Sequence, residues 1–264
     1  MGILSDMKEN YEKRQLASQY HYEAMQYINE GKEVYNNAYS KFQITAFDTN
    51  LEISKFVDFK KDILKQMNSI MKSIEGKENI VNKSKLEIEL IYPEISSIQP
   101  ATFVTGENPV IELIEIFKTV PIPSIKDFLN DSSEAYYQAR YERDEAKMYK
   151  QNMRIEREKI YSARNALKSI ASFISVEKEE ITKLLFNLKK IENEINNQNI
   201  SDKDIKALNM IADILSKTLT TQFITNDFKI SKPYVEIHNN VININNTIDN
   251  ATSISSGIVG ISKL

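Results

Sequence analysis

The sequence of 264 residues contains no cysteine and no tryptophan, and it has only two histidines, His21 and His238. Without cysteine the chain can form no disulfide, offers no thiolate nucleophile and builds no cysteine-based metal site. The two histidines are far apart in the sequence, and neither has a second ligand at a spacing typical of a metal site. We therefore expect each histidine on the surface or in a seam between helices, and we predict no metal and no cofactor.

Glycine is also scarce, with six residues in the whole chain. This leaves little room for a phosphate-binding loop, and the patterns of P-loop, dinucleotide-binding and nucleophile-elbow enzymes do not occur. Carboxylates recur three residues apart, as in Glu142 with Glu145 and Glu177 with Glu180, but a solvated helix face gives the same pattern. We therefore predict no catalytic residue and no enzymatic activity.

The chain also lacks a large excess of charge of one sign, because its 34 lysines and arginines nearly balance its 37 acidic residues and leave a net charge of -3. Without basic residues clustered among aromatic ones, we expect no nucleic-acid partner. No run reaches the ~18 apolar residues of a membrane-spanning helix. Residues 1–6 lack the charged and apolar regions of a signal peptide. We expect a chain that is cytoplasmic as synthesised, with later release or peripheral membrane attachment left open.

What the sequence has in abundance is helical periodicity. The stretches Asp6 to Glu75 and Asp131 to Asn197 contain no proline and almost no glycine, and apolar residues recur in them at spacings of three and four. Each predicts a long amphipathic helix, and the polar run Phe47 to Asn50 could bend or interrupt the first. In the second stretch, where charge fills Val176 to Glu180, the stripe is close to a heptad seam. It consists of Ile160, Ala163, Leu167, Ile170, Ile174, Ile181, Leu184, Leu188, Ile191 and Ile195.

The segment between the two stretches has a different composition, because it holds five of the six prolines. Lys85 to Leu90 alternates apolar and charged residues like a strand with one buried face, Thr105 to Pro109 is typical of a turn, and Val110 to Val120 is ambiguous between helix and strand. We predict a small irregular or β-containing head at the tip of an antiparallel helical hairpin. Its candidate contacts to a membrane or a partner are Leu86, Ile88, Leu90, Val110, Ile111, Leu113, Ile114, Ile116 and Phe117.

The C-terminal quarter predicts two shorter helices. One starts at Ser201 to Asp204 and continues through Leu219, and the other follows the apolar spacing from Tyr234 to Ile261. The complete prediction is a mainly all-α chain, an elongated antiparallel bundle of long helices. It has a first arm at 1–75, an inserted head at 76–130, a second arm at 131–197, and C-terminal helices at 198–264 that pack on the bundle.

Several segments resemble uncharacterised bacterial long-helix proteins that carry a glycine-zipper hairpin between two coiled-coil arms. The segments are Met1 to Leu4, Asn50 to Ile53 with Phe56 to Phe59, Ala135 to Ile195, Ala207 to Leu219 and Phe223 to Thr225. The glycine-rich hairpin of those proteins is absent, and the proline-containing segment stands in its place. The overall plan is also similar to α-helical pore-forming toxins of the cytolysin A type. That resemblance implies a hydrophobic tongue, which here would be Leu86 to Leu90 and Val110 to Val120.

These observations support two hypotheses. In the first, the chain acts on membranes in the manner of such a toxin, with the head contacting the bilayer and the arms forming oligomers. In the second, it is a cytoplasmic coiled-coil scaffold or assembly subunit whose head and asparagine-rich tail bind partner proteins. A heptad seam looks the same whether helices pair within one chain or between chains, so both pairings stay open. In either hypothesis we expect protein partners or self-association, with a homo-oligomer as the simplest assembly.

Overall fold

The computed structural model describes residues 2–75, 77, 87–99, 132–198, 200–225 and 229–261, and the side chains within those ranges from Met7 to Ile248 except that of Ser132. Within these ranges lie four α-helices, which are α1 (Gly2–Ile74), α2 (Ser132–Asn196), α3 (Asp202–Thr220) and α4 (Lys232–Ile261). In these ranges the β-type pairing is a single antiparallel bridge between Ile224 and Ile230. The predicted all-α class is therefore confirmed for the described residues.

The described residues divide into two units. The two-helix unit contains α1 up to Phe47 and α2 up to Ala166. The four-helix unit contains α1 from Asp48, residues 87–99, α2 from Leu167, and the helices α3 and α4.

Within the two-helix unit, α1 and α2 run in the same direction. Near the start of α2, Lys13 Nζ donates a hydrogen bond to Ser133 Oγ at 3.1 Å. Further along both helices, Arg164 Nε donates to Thr45 Oγ1 at 2.9 Å. The partners are 120 residues apart in the first contact and 119 in the second, and a constant separation is what parallel helices give.

The same direction holds within the four-helix unit. Thr49 Oγ1 donates to the carbonyl oxygen of Leu167 at 3.4 Å, and Lys189 Nζ donates to Gln66 Oε1 at 2.8 Å. Here the separations are 118 and 123 residues. The predicted antiparallel pairing of the two long helices is therefore wrong. Because a hairpin turn joins only antiparallel neighbours, the two long helices do not form the helical hairpin that we predicted.

Helix α1 is continuous through the polar run where we expected a bend or a break. The residues of this run are accommodated on the buried face, where Thr45 Oγ1 donates to Lys41 O at 2.9 Å. Two successive spacings of four residues separate the buried positions Thr45, Thr49 and Ile53. A heptad alternates spacings of three and four, so the buried stripe of α1 shifts here as in a coiled-coil stutter. The buried stripe of α2 keeps steps of seven throughout, at Ala139, Ala146, Met153, Ile160, Leu167, Ile174, Ile181, Leu188 and Ile195.

The two-helix unit has a seam of small residues on α1. Buried small residues occur there at every seventh position, at Ala17, Ala24, Gly31 and Ala38. A Cβ atom on Gly31 would lie 3.0 Å from Tyr149 Cε1 and 3.3 Å from Lys150 Cα. Glycine in a helix interior costs about 1 kcal/mol relative to alanine. Its presence here follows from the close approach of the α2 backbone and the Tyr149 ring.

The described part of the predicted head contains no strand. Glu87 to Glu94 has no regular secondary structure, and a short 3₁₀ helix follows at Ile95–Ser97. The amide of Asn209 on α3 accepts a hydrogen bond from Glu89 N at 3.0 Å and donates one to Glu87 O at 2.9 Å. This side chain supplies the bonds that a neighbouring strand would otherwise make. For residues 87–90, the predicted strand Lys85 to Leu90 is therefore replaced by an irregular segment bound to α3.

The predicted start of α3 is confirmed by its cap. Ser201 Oγ accepts from Asp204 N, and the Asp204 carboxylate accepts from Ser201 N at 2.9 Å, which completes a capping box. Two residues after α2 ends, Gln198 has a φ of 58°, which lies in the left-handed region. After the loop, Ser231 Oγ accepts from Tyr234 N at 3.3 Å and caps the start of α4. Both C-terminal helices were predicted from the sequence.

Candidate functional site

In the part of the chain that the structure describes, four charged side chains are buried at positions of the helical seams where an apolar residue is normal. On α2, Glu142, Glu156 and Glu177 each follow a buried seam residue by three positions, and Lys60 on α1 lies between Phe56 and Ile63 on the buried stripe. Lys60 is 3% exposed and Glu177 is 0% exposed. The prediction that Glu142 and Glu177 belong to a solvated helix face is therefore wrong. A heptad places the residue three after a seam position back in the seam.

Glu177 is the centre of a polar cluster in the four-helix unit. Tyr234 Oη donates a hydrogen bond to Glu177 Oε1 at 3.1 Å, and His238 Nδ1 contacts Oε2 of the same carboxylate. The His238 ring packs on Phe173, with 4.6 Å between the ring centroids. Since Tyr234 and His238 are one turn apart on α4, the carboxylate of α2 holds two successive turns of that helix.

Lys60 occupies the other side of this cluster. Its Nζ atom donates to the carbonyl oxygens of Thr218 at 2.8 Å and Thr221 at 3.4 Å. These carbonyls belong to the C-terminal end of α3, where backbone acceptors lack helical partners and the helix dipole favours a cation. The ammonium group also lies 4.6 Å from the centroid of the Tyr234 ring and 5.2 Å from that of Phe56. The Tyr234 side chain therefore touches both Lys60 and Glu177.

Burial is the main influence on the protonation of Lys60, Glu177 and Tyr234, which together with the half-buried His238 form a cluster that we call the buried quartet. Burial lowers the pKa of Lys60 to about 7, although the nearby charge of Glu177 opposes the shift. Burial raises the pKa of Glu177 against the opposing effects of His238, Tyr234 and Lys60. Burial, followed by the Glu177 charge and hydrogen bond, raises the pKa of Tyr234 well above its usual value. Each of these three groups is thus pushed towards its neutral form.

The two-helix unit contains smaller polar contacts in its seam. Glu142 Oε2 lies 3.7 Å from His21 Nδ1, and Glu142 Oε1 accepts a hydrogen bond from Gln138 at 3.1 Å. Glu156 Oε1 accepts from Lys159 at 2.6 Å. These contacts place His21 beside a buried glutamate in a helix seam, one of the two positions, surface or seam, that we expected for each histidine. They place polar groups at fixed heights along the seam, and such groups specify the register of paired helices.

The two-helix unit also presents large apolar side chains to solvent. On α2 they follow one another by four, seven and seven positions, so they share a face that points away from the seam. We call this face the outer ribbon, and it consists of Tyr137, Tyr141, Met148 and Ile155. Exposed apolar residues on α1 in the same unit include Tyr22, Met25, Ile44 and Phe47. Large exposed apolar side chains of this kind are typical of interaction surfaces.

Of the contact residues predicted from the sequence, the structure places two. Ile88 and Leu90 are half-buried in the irregular segment of the four-helix unit. The other predicted contacts, Leu86 and the apolar residues between Val110 and Phe117, lie outside the described residues. So do the turn predicted at Thr105 to Pro109 and the ambiguous segment from Val110 to Val120.

Sequence reasoning missed the buried quartet. The signal that could have found Lys60 was its position on the apolar stripe, four residues after Phe56 and three before Ile63. Glu177 carries a similar signal, because it follows Ile174 by three and precedes Ile181 by four. Pairing either residue with Tyr234 and His238 required the direction and position of α4, which no local pattern supplies.

Two further observations bear on chemistry and on membranes. Within the described ranges, no group of three or more histidine, aspartate or glutamate side chains is placed to hold a metal ion. Over the same part of the chain, none of the helices combines the length and the apolar character needed to cross a bilayer. The chain matches no protein-family model, and no similar curated protein or solved structure was found.

Proposed function

We propose that this chain is a non-enzymatic helical assembly protein, a coiled-coil scaffold or subunit that self-associates through the outer ribbon. The observation that carries the proposal is the ribbon itself, four large apolar side chains in line on the solvent face of α2. Three of them, Tyr141, Met148 and Ile155, are spaced by seven residues. Helices that repeat every seven residues can pack along each other over several turns.

The thin core of the two-helix unit supports the same proposal. Among its described residues eight apolar side chains are buried, and five of them are alanines, namely Ala17, Ala24, Ala38, Ala139 and Ala146. Alanine buries little area, and the hydrophobic contribution is about 25 cal/mol per Å² of apolar surface. A further helix laid on the outer ribbon would bury side chains larger than those in the seam. We propose a second copy of this chain as the occupant, because it supplies an identical ribbon with matching spacing.

The test is the mass of the 264-residue chain in solution. The chain has a mass of 30.5 kDa, and we expect light scattering after size-exclusion chromatography to give at least twice that value. Met148→Glu should shift the protein to the monomer mass, because a charge on the ribbon must be desolvated on association. Met210→Glu is the matched control, since Met210 is exposed on α3 outside the ribbon. A wild-type protein that stays monomeric at all concentrations would refute the proposal.

We propose membrane action of the cytolysin A kind as a second candidate function. The specific observation in its favour is the segment Val110 to Val120, which contains only three charged residues among eleven and lies between α1 and α2 in the sequence. The parallel direction of those helices removes the hairpin tip from which the sequence favoured this hypothesis, so membrane action ranks below assembly.

Dye release from neutral and anionic vesicles at pH 5 and 7.5 tests membrane action. Leakage that Ile114→Glu abolishes and Ile95→Glu preserves would support it, and no leakage in any condition would end it.

A further inference from the structure

Charged residues of α1 and α2 face each other along one edge of the two-helix unit. On α2 the edge carries a column of cations seven residues apart, namely Arg143, Lys150, Arg157 and Arg164. On α1 the residues at the same four heights are Glu23, Glu30, Asn37 and Ile44. Arg143 Nη1 lies 3.9 Å from Glu23 Oε2, and Lys150 forms an ion pair with Glu30. Ion pairs between the flanks of a seam are normal in parallel coiled coils.

This matching of charges stops halfway along the edge. Arg164 Nε donates a hydrogen bond to Thr45 Oγ1 at 2.9 Å, so the two helices are still in contact at this height. Arg157 finds its partners on its own helix, at Glu158 Oε1, 3.0 Å from Nε, and at the Tyr161 ring, whose centroid is 5.8 Å away. In the described part of the chain, α1 places no carboxylate within ion-pair distance of Arg157 or Arg164.

The same end of the edge exposes apolar side chains of α1. Ile44 is 63% exposed and Phe47 is 71% exposed, and residues three apart share a helix face. Exposed cations at Lys41 and Arg154 flank the same heights, and Glu158 offsets one of the four cations. We call this end of the edge the open patch, and it consists of Lys41, Ile44, Phe47, Arg154, Arg157 and Arg164.

The open patch is separate from the outer ribbon. Arg157 follows the ribbon residue Ile155 by two positions, and two residues of an α-helix turn by about 200°, so these side chains point in nearly opposite directions. A second copy on the ribbon therefore leaves the open patch uncovered. The patch needs an occupant of its own, and that occupant carries negative charge.

We propose that the open patch binds the surface of an anionic lipid bilayer. Ile44 and Phe47 enter the boundary between headgroups and acyl chains, and the arginines pair with lipid phosphates. Helices that combine large apolar side chains with lysine and arginine lie on anionic membranes in this way. Arginine is suited to the role because its planar guanidinium group binds phosphate with two hydrogen bonds. Such binding is peripheral and depends neither on assembly through the ribbon nor on a helix that crosses the bilayer.

The apolar side chains favour a bilayer over other anionic partners. A single-stranded nucleic acid stacks its bases on flat rings, which Ile44 does not offer, and the net charge of -3 gives no overall attraction to a polyanion. An acidic helix of another protein has to match the spacing of the arginines and cover both apolar side chains as well. A fluid bilayer accepts aliphatic and aromatic side chains alike, because both lose contact with water.

Sedimentation of the 264-residue chain with vesicles tests the proposal. We expect binding to vesicles of equal parts phosphatidylcholine and phosphatidylserine, little binding to phosphatidylcholine alone, and weaker binding as NaCl is added. Each cation near an anionic surface strengthens binding about 5-fold, so Arg157→Gln combined with Arg164→Gln should weaken it about 30-fold. Phe47→Ser should weaken it about tenfold or more, because the ring no longer enters the bilayer.

Matched controls separate the open patch from charge and apolar character in general. Arg143→Gln combined with Lys150→Gln removes the same charge from the same column where α1 supplies carboxylates, and should keep most of the binding. Phe186→Ser replaces a phenylalanine of the four-helix unit that is 67% exposed, and should bind like the wild type. Circular dichroism establishes that each variant is folded, and Phe47→Ser decides the case if the double arginine variant is not.

Two kinds of result would overturn the proposal. One is the absence of sedimentation with phosphatidylserine vesicles, or an equal loss in the two double variants. The other is binding of poly-glutamate or of a single-stranded oligonucleotide without binding to vesicles, which would assign the patch to an acidic protein or to a nucleic acid.

Discussion

Gly31 allows a quantitative test of the close approach between α1 and α2 in the two-helix unit. Replacing glycine by alanine in an exposed helix interior stabilises a protein by about 1 kcal/mol, because alanine is the better helix former. At Gly31 the added Cβ would lie 3.0 and 3.2 Å from two atoms of the Tyr149 ring and 3.3 Å from Lys150 Cα. Relaxed carbon contacts are about 3.5–4.0 Å, so both neighbours must move by several tenths of an ångström.

The Tyr149 ring can rotate, but Lys150 Cα belongs to the backbone of α2 and moves only with the helix. Overpacking of this kind costs about 1–3 kcal/mol, which exceeds the gain in helix propensity. We therefore expect Gly31→Ala to lower the free energy of unfolding by about 1 kcal/mol, where a simple propensity argument predicts an increase of the same size. Gly31→Leu, with three more carbon atoms in the seam, should cost more than Gly31→Ala.

Urea unfolding followed by far-ultraviolet circular dichroism measures these changes. Asn29→Ala is the control, because Asn29 is exposed on the same helix and its replacement should stabilise the protein by a few tenths of a kcal/mol through propensity alone. If Gly31→Ala stabilised the protein as much as an exposed glycine replacement does, the helices would not be in contact at this height, and the small-residue seam would need another explanation.

Three other changes have expected outcomes. Ser201→Ala removes one half of the capping box with Asp204 and should lower stability by about 1 kcal/mol in the same unfolding assay, whereas Ser201→Asp should retain most of it. Gln198→Gly should raise the free energy of unfolding by about 0.5–1 kcal/mol, since glycine adopts the left-handed φ of 58° without strain; no gain would mean that this backbone conformation is not strained. Tyr35→Phe should be neutral or should raise the thermal midpoint, because the buried Tyr35 hydroxyl has no hydrogen-bond partner in the described structure. A loss above 1 kcal/mol there would reveal a partner.

The fold was predictable from the sequence where local patterns decide it. The limits of α2 follow from the absence of helix breakers and from the steps of three and four along its apolar stripe. The start of α3 follows from the pairing of Ser201 with Asp204, and both features depend on residues at most four positions apart. The existence and the type of these helices could therefore be predicted from the sequence.

Whether α1 and α2 pair in parallel or antiparallel could not be predicted in the same way. A heptad stripe presents the same apolar edge to a parallel and to an antiparallel partner, so the spacing of Leu167, Ile174 and Ile181 favours neither. The preference for an antiparallel hairpin came from the order of segments along the chain. The contacts that decide it, such as Lys13 with Ser133, join residues 120 positions apart.

The buried quartet was hidden for a related reason. Lys60 and Glu177 were classified by residue type, and charged residues are rarely fully buried. Their positions on the stripe were the better guide, because the geometry of a helix fixes which residues face the seam whatever their chemistry. What covers them could not be foreseen, since Thr218, Thr221 and Tyr234 reach Lys60 through the loop that reverses the chain between α3 and α4.

The parallel pairing has a consequence for synthesis on the ribosome. Each contact between α1 and α2 waits until about 120 further residues have been translated, which takes about 6–24 s at typical elongation rates. During that delay the apolar face of α1 leaves the ribosome without its partner helix. An antiparallel partner helix would begin to leave the ribosome within a few seconds of the turn. Chaperone capture of the nascent N-terminal helix is therefore a foreseeable requirement for producing this protein at high yield.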